Sequence, residues 1–590
     1  MTSARTTAPA PGEAALPAAS AAALLRRNAA QAQIAERPAV RFGAVTWTHA
    51  DYVAECAHMA QLLLALRPED GPFHVGVLLD NTPDYLVALG GAALVGATVV
   101  GLNHTRRGEH LLRDLTHADV GIVLSEPEHL ADLAPIARDL PVAPERVLIS
   151  RRWSEVDGDD AAAMLPGSRD LAEALAEVPS TDPGLEPSVD DRWALIFTSG
   201  TSSAPKAVIC SQRRLLTTGA RMATLLGIGA DDVGYVCMPL FHSNAVMVGW
   251  APSIVAGASV GLARRFTASG WLRDVRRYGA TYFNYTGKPL SYVVAQPAAP
   301  DDADNPLRIA FGNEGSPEVV EAFARRFGVE VIDAFGATEG GIAVNRDVPM
   351  RSGAMGVAPP NICVVDDSGA PCPPARFDAH GRLANADDCV GEIVNTAGAG
   401  PFEGYWNNPE ANERTLRNGW YWSGDLGYLD DDRYLYFAGR NADWIRVDGE
   451  NFPAGPIADA LARHPDVVVA VAYGVPDVHA GDQVMAAIVL RDGATFDGAA
   501  FAGWIDGLAD LGPKWRPRFV RVARQLPTTG TNKVVVRTLV HQQVRRDRIG
   551  ADAVWWRDRD APSYVPFTPA DEVARRDAMV AAGRERFWDL

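Results

Sequence analysis

Short apolar runs alternate with helical segments through the first two thirds of the chain. Such runs, bounded by glycine or polar positions, are typical of buried strands, and their alternation with helices predicts parallel α/β sheets. The predicted strands cover residues 75–79, 97–100, 120–124, 194–197, 280–285, 309–312 and 329–332. Ligands of such sheets bind beyond the carboxyl ends of the strands, so we expect the functional residues in the loops that follow these runs.

The pattern changes from about residue 391. Trp, Tyr, Asn, Gly and Asp are concentrated between residues 391 and 436, which predicts short strands and turns. A smaller α/β unit follows, with predicted strands at 467–473 and 484–490 and a helix near 501–508. The chain therefore divides into an Ala/Pro-rich tail (1–20) predicted to be disordered, a large domain (21–440) and a small domain (441–590). A tryptophan-containing extension begins at about residue 545, and the sequence assigns it no function.

The composition is that of an ordinary globular chain. Of the 590 residues, 47% are hydrophobic and 22% are charged, and the net charge of −18 disfavours nucleic acid as a partner. The six cysteines are scattered without a Cys-x-x-Cys pair, which argues against a zinc site and a disulfide framework and favours a reducing cytoplasm.

Two stretches have some features of a membrane or targeting segment. Residues 85–102 are uncharged, but four glycines interrupt them, so a buried helix followed by a strand is a better interpretation than a membrane span. Arginines follow the Ala-rich stretch 14–25 instead of preceding it, which is the wrong order for a signal peptide.

The run Thr-Ser-Gly-Thr-Ser-Ser-Ala-Pro-Lys, from Thr198 to Lys206, carries the strongest chemical signal. It follows a predicted strand. Its hydroxyl and backbone N–H groups can donate hydrogen bonds to phosphate, and its lysine adds positive charge. The spacing differs from that of the Gly-x-x-x-x-Gly-Lys phosphate loop. An ordinary Ser/Gly turn is the alternative for this run taken alone.

Three further clusters follow it. The segment Asp-Ala-Phe-Gly-Ala-Thr-Glu-Gly at 333–340 offers a ring for stacking on a base and a Thr-Glu pair suited to phosphate and Mg²⁺, which prefers oxygen ligands. Asp425 with Arg440 could grip two ribose hydroxyls, and Lys533, on a Gly/Thr-rich loop, could reach a distant site as a point charge. Taken singly, the clusters also fit a strand-end turn, a surface salt bridge and a solvated turn lysine.

In this order, the clusters resemble the motifs of the adenylate-forming superfamily of acyl-CoA synthetases, luciferases and peptide-synthetase adenylation domains. The resemblance runs from about residue 39 to residue 539. The forms Phe-Gly-Ala-Thr-Glu-Gly and, at 239–245, Pro-Leu-Phe-His-Ser-Asn-Ala are most similar to the very-long-chain fatty-acid and transport-protein branch, which includes actinobacterial fatty-acid–CoA ligases.

The resemblance implies both a fold and a reaction. The fold is α/β: a large domain of two parallel-sheet subdomains plus a small β-barrel-like subdomain, and a small mobile α+β C-terminal domain. In the reaction, a carboxylate attacks the α-phosphate of ATP to give acyl-AMP and pyrophosphate, and the thiol of CoA then displaces AMP. Catalysis of the first step is mainly positioning and neutralisation of negative charge.

The resemblance also assigns roles to residues. Nucleotide binding is assigned to Thr198, Ser199, Gly200, Thr201, Ser202, Lys206, Gly312, Asn313, Glu314, Gly315, Asp333, Ala334, Phe335, Gly336, Asp425 and Arg440. Catalytic roles are assigned to Lys533, Thr338, Glu339 and His242, with Lys533 bridging the substrate carboxylate and the α-phosphate. Glu339 and Thr201 would hold Mg²⁺.

The acyl pocket would be lined by His242, Asn244, Ala245, Tyr285 and Gly287. Between the two steps the small domain would rotate about a hinge at Ala442, and the CoA thiol tunnel would then be lined by Gly449, Glu450 and Asn451.

Several positions depart from the family pattern, including Ala207, where family loops often have a glycine. Ser203 stands where a second loop glycine is usual, so the geometry of the phosphate loop is in question. Ala442 replaces the usual Asp or Lys of the hinge, which we interpret as altered hinge energetics. Phe335 replaces the usual stacking tyrosine and keeps its ring.

The leading hypothesis is a cytoplasmic, ATP-dependent acid–CoA ligase that uses Mg²⁺. The nearest alternative hands its adenylate to a separate carrier protein or partner ligase and forms thioesters weakly. Amino-acid activation is disfavoured because no aspartate stands beside His242 to bind an ammonium group. A luciferase-like oxygenase and a binding protein without activity are further alternatives, although the retained Lys206, Glu339 and Lys533 weigh against the latter.

The acid and the partners are left open by the sequence. The acid is predicted to be hydrophobic: either a long fatty chain or a bulky polycyclic acid, such as a terpenoid or steroid carboxylate of an antibiotic-type secondary pathway. A homodimer and a downstream acyltransferase are further candidate partners.

Overall fold

The computed structural model describes most of the chain. Outside the described residues lie 1–15, 157–163, 199–205, 287–288, 314, 316, 335, 345–349, 352–353, 379–382, 441–443, 448–449, 479–481, 509–510, 530–532, 559–560, 583, 586–587 and 589–590. Among the described helices, none has both the length and the apolar composition that crossing a bilayer requires.

The helices and strands up to residue 440 form the large domain. Its helices are α1 (Ala21–Ala30), α2 (Ala32–Ala35), α3 (His49–Ala65), α4 (Pro83–Val95), α5 (Glu109–His117), α6 (Leu130–Leu133), α7 (Leu171–Ala176), α8 (Gln212–Leu226), α9 (Ala251–Ala256), α10 (Ala268–Tyr278), α11 (Pro289–Val294), α12 (Pro317–Phe327), α13 (Ala386–Cys389) and α14 (Pro409–Thr415). Short 3₁₀ turns cover Pro127–His129, Ala134–Ile136 and Pro144–Arg146, and a π-helix covers Asn244–Trp250.

Its strands are β1 (Pro38–Phe42), β2 (Val45–Thr48), β3 (His74–Leu78), β4 (Thr98–Gly101), β5 (Ile122–Ser125), β6 (Val147–Ile149), β7 (Arg169–Asp170), β8 (Arg192–Thr198), β9 (Lys206–Ser211), β10 (Val233–Val236), β11 (Ser259–Leu262), β12 (Tyr282–Thr286), β13 (Ile309–Asn313), β14 (Glu330–Asp333), β15 (Ala354–Val357), β16 (Ile362–Val365), β17 (Gly391–Asn395), β18 (Tyr405–Trp406), β19 (Leu416–Arg417), β20 (Trp420–Leu429) and β21 (Tyr434–Arg440).

Two α/β sheets and one antiparallel sheet build this domain. The first sheet has the order β18-β9-β8-β4-β3-β5-β6-β7, parallel from β8 to β7 and antiparallel at β9 and β18. The second has the order β14-β13-β12-β10-β11-β1-β2, parallel except at β2. The third has the order β15-β21-β20-β17-β16, with β19 on β20. The predicted fold class is therefore confirmed, with antiparallel strands added at the sheet edges.

Helix α4 shows why the uncharged stretch is not a membrane span. The helix is buried all round, and Gly96 ends it in the left-handed conformation, at a φ of 70°. A Cβ at Gly90 would lie 2.3 Å from Sγ of Cys56 on α3, so the glycine permits close packing of the two helices. The predicted buried helix followed by a strand is confirmed by α4 and β4.

The small domain has one sheet with a hydrophobic core on each face. Its strands are β22 (Trp444–Val447), β23 (Glu450–Pro453), β24 (Val467–Pro476), β25 (Asp482–Leu490), β26 (Phe519–Ala523), β27 (Ala553–Trp556) and β28 (Val565–Pro566). Its helices are α15 (Gly455–Ala462), α16 (Gly498–Asp506), α17 (Val536–Gln542), α18 (Arg546–Ile549) and α19 (Pro569–Ala581).

Strands β24 to β28 pair in sequence order, while β22 and β23 form a separate ribbon. Alternate residues of β24 and β25 point into opposite cores, one with α15 and α16 and one with α17 and the buried Trp588. The described part of the extension is thus integral to the domain, because it supplies β27 and β28 and part of the second core. The predicted domain boundary falls on residues 441–443, outside the described residues, and stays a prediction.

Three expectations about local structure need correction. The antiparallel sheet begins with β15 at Ala354, well before residue 391. Helix α16 spans Gly498–Asp506 instead of 501–508, because the Asp497 side chain accepts hydrogen bonds from two N–H groups of its first turn. Residues 16–20 of the predicted disordered tail have a defined place: Ser20 caps α1, and Arg27 donates a 2.7 Å hydrogen bond to the carbonyl of Pro17.

Candidate active site

Three neighbouring parallel strands bring part of the predicted site together. Tyr285 of β12 lies opposite Gly312 of β13, which lies opposite Asp333 of β14. The Tyr285 hydroxyl donates to Oδ2 of Asp333 over 2.7 Å, and the backbone N–H of Gly315 donates to the same oxygen over 2.8 Å. A Cβ at Gly312 would lie 2.3 Å from the Tyr285 carbonyl, so only glycine allows this approach.

Two hydrogen bonds hold the segment after β14. The backbone N–H of Ala334 donates to the Gly312 carbonyl over 2.7 Å, and Nδ2 of Asn313 donates to the Gly336 carbonyl over 3.3 Å. These contacts fix the backbone on both sides of residue 335, which itself lies outside the described residues. The position predicted to stack on adenine therefore stays a prediction, although its supports are in place.

Thr338 is linked to the predicted acyl side of the site. Its Oγ1 lies 2.8 Å from Oγ of Ser243, the residue after His242. Arg214 of α8, which is 7% exposed, donates to the Thr338 carbonyl and, over 3.2 Å, to the Ile209 carbonyl. A buried guanidinium thus orients the backbone at Thr338 and brings positive charge close to the predicted α-phosphate position.

Tyr405 lies close to both Glu339 and Lys206. The Tyr405 hydroxyl donates to Oε1 of Glu339 over 2.8 Å. Nζ of Lys206 lies 5.3 Å from the centre of the Tyr405 ring, within cation–π range. Lys206 is also opposite Thr198 in the β8–β9 pair, so the two described ends of the predicted phosphate loop are adjacent.

The ring cluster behind Glu339 is buried. Phe402 packs against Tyr405 and Tyr421 at centroid distances of 4.8 and 5.6 Å. Burial, reinforced by the Glu339 carboxylate, raises the pKa of Tyr421 well above its usual range, so this phenol stays protonated at neutral pH.

The predicted acyl-pocket residues are joined by buried amides. Nδ2 of Asn244 donates to the Tyr285 carbonyl over 2.9 Å, and Nδ2 of Asn284 donates to Oδ1 of Asn244 over 2.6 Å. The backbone N–H of Asn244 faces Nδ1 of His242 at 3.3 Å. The Tyr282 hydroxyl lies 2.5 Å from the Val248 and Gly249 carbonyls, which ties the π-helix to β12.

Asp425 of the predicted ribose clamp is buried. Asp425, which is 3% exposed, lies opposite Arg440 in the β20–β21 pair. The backbone N–H of Asp425 donates to Oγ of Ser423 over 3.1 Å. Strand β20 approaches the 333–340 segment closely, since a Cβ at Gly341 would lie 2.4 Å from the Tyr421 ring.

Lys533 lies at the end of a turn in the small domain. Its carbonyl accepts a 2.7 Å hydrogen bond from the backbone N–H of Thr529, and its own N–H donates to Oγ1 of Thr529 over 3.2 Å. These bonds close the turn that carries the lysine. The bridging role of its side chain stays a prediction.

Several predicted residues cannot be placed. Ser199, Gly200, Thr201, Ser202, Glu314, Phe335, Gly287, Gly449 and Ala442 lie outside the described residues, as does the departure at Ser203. The same holds for the side chains of Arg440, Glu450 and Asn451. Their roles stay predictions.

Four residues of the cluster escaped the sequence analysis: Arg214, Ser243, Asn284 and Tyr405. Ser243 directly follows His242 and could have been found from the motif. Tyr405 lies in the aromatic-rich stretch that was noted only for its turns. Arg214 and Asn284 carry no local signal, because each acts through a contact with a distant part of the chain.

Two family profiles match this chain. The profile described as AMP-binding enzyme matches residues 25–406, and the one described as AMP-binding enzyme C-terminal domain matches residues 457–533. The first match contains the segments that carry Lys206, His242, Thr338 and Glu339, and the second ends at Lys533.

Curated relatives match over most of their length. The chain is 45% identical over 556 residues to a steroid-22-oyl-CoA synthetase of Rhodococcus jostii. The alignment covers 94% of this chain and 96% of the relative. It is 46% identical over 505 residues to a medium/long-chain-fatty-acid–CoA ligase, FadD17, of Mycobacterium tuberculosis. This alignment covers 84% of this chain and 92% of the relative.

A solved structure shares the fold. It is an anthranilate CoA ligase, AuaEII, in complex with anthranoyl-AMP. The TM-score is 0.75 and the identity 21%, over 88% of this chain and 97% of that one. At this identity the likeness concerns the fold alone.

Proposed function

Because this chain belongs to the AMP-binding enzyme family and is an AMP-forming acid–thiol ligase, we propose that its acid substrate is a large hydrophobic carboxylic acid. One observation carries the proposal. Residues 239–250 contain no Asp, Glu, Lys or Arg, and their side chains at Ala245 and Val246 are buried. We call residues 239–250 the uncharged wall. It includes Ser243, whose Oγ lies 2.8 Å from Oγ1 of Thr338, so it reaches the predicted α-phosphate position.

An uncharged wall selects against a second charge on the substrate. An ammonium or second carboxylate placed against it would lose its hydration without a partner. A chain or ring system of carbon atoms would instead gain from burial, by roughly 0.8 kcal/mol per methylene group. The names of the two curated relatives, one for a steroid acid and one for medium and long fatty acids, support both a polycyclic and a linear acid.

In the first half-reaction, an oxygen of the substrate carboxylate forms a bond to the α-phosphorus, and the bond from that phosphorus to pyrophosphate breaks. Thr338 would contact the α-phosphate from a backbone fixed by Arg214. Lys206 would face the β- and γ-phosphates, and Lys533 would bridge the carboxylate and the α-phosphate. These positive groups would lower the barrier by neutralising charge that builds up on the phosphate oxygens.

The described residues fit a bound Mg²⁺. The Glu339 carboxylate is a hard oxygen ligand, and the Tyr405 hydroxyl orients it through Oε1. Glu339, with Thr201 of the phosphate loop, would hold the ion. When bound, it supplies positive charge beside the pyrophosphate group.

In the second half-reaction, the CoA thiolate attacks the acyl carbon and AMP leaves. Rotation of the small domain about Ala442 would withdraw Lys533 and bring Gly449, Glu450 and Asn451 to the thiol path. CoA is preferred to a carrier protein as acceptor because both curated relatives are named as forming CoA thioesters.

The test is an acid panel followed by mass spectrometry. The protein is incubated with ATP, Mg²⁺ and medium-chain, long-chain, diterpenoid or steroid acids, with and without CoA, and AMP, acyl-AMP and acyl-CoA are measured. Acyl-CoA from one hydrophobic class, at a rate at least about tenfold above that with a dicarboxylate or an amino acid, is expected.

Two variants complete the test. Lys533→Ala should lose acyl-AMP formation, while Lys514→Ala, which removes a lysine of the same domain, should keep it. Preference for a dicarboxylate or an amino acid would overturn the proposed substrate class. Accumulation of acyl-AMP without thioester would favour a separate acceptor.

A further inference from the structure

A second cluster of ionisable residues lies at the carboxyl ends of strands in the first sheet. Asp80 follows β3 by two residues, and Glu126 directly follows β5. His129 ends the 3₁₀ turn Pro127–His129, and Arg264 follows β11 of the second sheet. None of these residues belongs to the motifs that carry the ligase chemistry. We call Asp80, Glu126 and His129 the Asp80 cluster.

The three ligand atoms of the Asp80 cluster converge on one point. Nε2 of His129 lies 3.3 Å from Oδ1 of Asp80 and 3.7 Å from Oε1 of Glu126, and all three atoms lie within 4.8 Å of one another. His129 is 6% exposed and Glu126 1% exposed. Although Nε2 of His129 is buried and aimed at the two carboxylates, it makes no hydrogen bond with either. Adjacent ligands of one metal ion lie about 3.0–3.5 Å apart when each bond is about 2.1 Å long. The separation of His129 and Asp80 falls in this range, and that of His129 and Glu126 slightly exceeds it.

Further groups around the cluster also contact these side chains. Nη1 of Arg264 lies 3.4 Å from Oδ2 of Asp80 and 3.2 Å from Oε2 of Glu126. The backbone N–H of Asp80 donates to Oε1 of Glu126 over 2.5 Å, and Nδ1 of His129 lies 3.6 Å from Oδ2 of Asp132. A carboxylate behind the second ring nitrogen of a ligating histidine is the usual outer partner in metal sites.

Several carboxylates surround the cluster. Among the described residues, the carboxylates of Asp80, Glu126 and Glu128 lie within 3.5 Å of Nη1 of Arg264, and that of Asp132 lies near Arg107 and His129. A divalent ion bound to Nε2 of a neutral His129 would add positive charge beside these carboxylates.

We propose that Asp80, Glu126 and His129 bind one divalent transition-metal ion, with zinc as the favoured species. One imidazole and two carboxylates suit zinc, manganese or iron(II), whereas calcium and magnesium prefer sites made of oxygen alone. The absence of Cys-x-x-Cys pairs bears only on thiolate sites and leaves this one untouched.

The ion braces the wall of the acid pocket. The ring of His104 stacks on that of His129 at 5.5 Å and meets Phe241 edge-on at 5.2 Å. Phe241 directly precedes His242. Metal binding therefore orders the strand ends, and through His104 it positions the segment that begins the uncharged wall.

Elemental analysis tests the site without acid, ATP or CoA, so its result is independent of the proposed function. The full-length, untagged protein is grown with added zinc, desalted and analysed. About one zinc per chain is expected in the wild type. His129→Gln and Glu126→Gln should lose it. Glu128→Gln is the matched control, because it removes a carboxylate that faces Arg264 and not His129, and it should keep the metal.

Two further measurements keep the test decisive if a variant folds poorly. Adding zinc to chelator-treated wild type should raise the thermal midpoint by a few degrees, whereas magnesium should not. A cobalt(II) derivative should absorb in the visible without a thiolate charge-transfer band. No bound zinc, manganese, iron or cobalt in the wild type would overturn the proposal, as would metal retained in both ligand variants or a thiolate band.

Discussion

Replacing Tyr405 by phenylalanine isolates one hydrogen bond of the candidate site. The wild-type hydroxyl donates to Oε1 of Glu339 over 2.8 Å, while the ring packs on Phe402 and lies 5.3 Å from Nζ of Lys206. Phenylalanine keeps the ring contacts and the β18–β9 backbone pairing. The Glu339 carboxylate loses the hydrogen bond that this hydroxyl donates.

The size of the effect follows from this contact. A hydrogen bond to a charged group is worth about 1.5–3 kcal/mol when shielded from water. Glu339 is only half-buried, so we take the lower end, about 1.5 kcal/mol. This corresponds to roughly a tenfold loss in kcat/KM for Mg·ATP. The main effect should be a rise in the Mg²⁺ concentration needed for a half-maximal rate, because Glu339 is the residue that would hold the ion.

The assay follows pyrophosphate release at saturating acid while Mg²⁺ and ATP are varied. Tyr428→Phe is the matched control, since it removes a hydroxyl from a ring that stacks on Tyr436 at 4.9 Å. Equal rates and an equal Mg²⁺ requirement for wild type and Tyr405→Phe would refute the inferred role of this hydrogen bond. An equal loss in the control would assign the effect to general destabilisation.

Three substitutions test the structure elsewhere. Gly101→Ala would place a Cβ 2.9 Å from Cα of Phe241, so we expect about 1–3 kcal/mol of destabilisation in urea titrations and a raised KM for the acid. Trp271→Ala removes a fully buried ring that packs on three others at 4.9–5.6 Å, and should cost about 3–5 kcal/mol in the same titration. Burial raises the pKa of Asp114 to about 6, although Nε of Arg106 lies 3.0 Å away. The folded state therefore holds this proton more tightly than the unfolded chain. As pH rises from about 4 to about 6, the free energy of unfolding of the wild type should fall relative to that of Asp114→Asn, by up to about 3 kcal/mol. A difference that does not change with pH would contradict this.

The parallel strands could be predicted because they are buried on both faces. Such strands are nearly continuous apolar runs, and β3, β5 and β13 lie within two residues of their predicted positions. Strands β15 and β16 were missed because they are short and lie outside the aromatic-rich stretch. Helix α16 begins earlier than its first large apolar residue, because a polar cap at Asp497 and small residues form its first turn.

Some residues of the candidate site could be predicted from the sequence and others could not. Residues at strand ends, such as Gly312 and Asp333, were found because the motif and the strand end coincide in sequence. Tyr405 and Arg214 reach the site from β18 and α8, so their roles depend on sheet order and packing that periodicity does not encode. The Asp80 cluster could not be predicted for the same reason, because its members come from the loops after two separate strands and from a 3₁₀ turn.

Transfer of a labelled oxygen tests the proposed reaction most directly. The protein is given a hydrophobic acid whose carboxylate carries heavy oxygen, with ATP, Mg²⁺ and CoA, and the products are weighed by mass spectrometry. If the carboxylate attacks the α-phosphate, one heavy oxygen must leave with AMP while the other stays in the thioester. Heavy oxygen in phosphate beside ADP, or unlabelled AMP formed together with the thioester, would contradict the account.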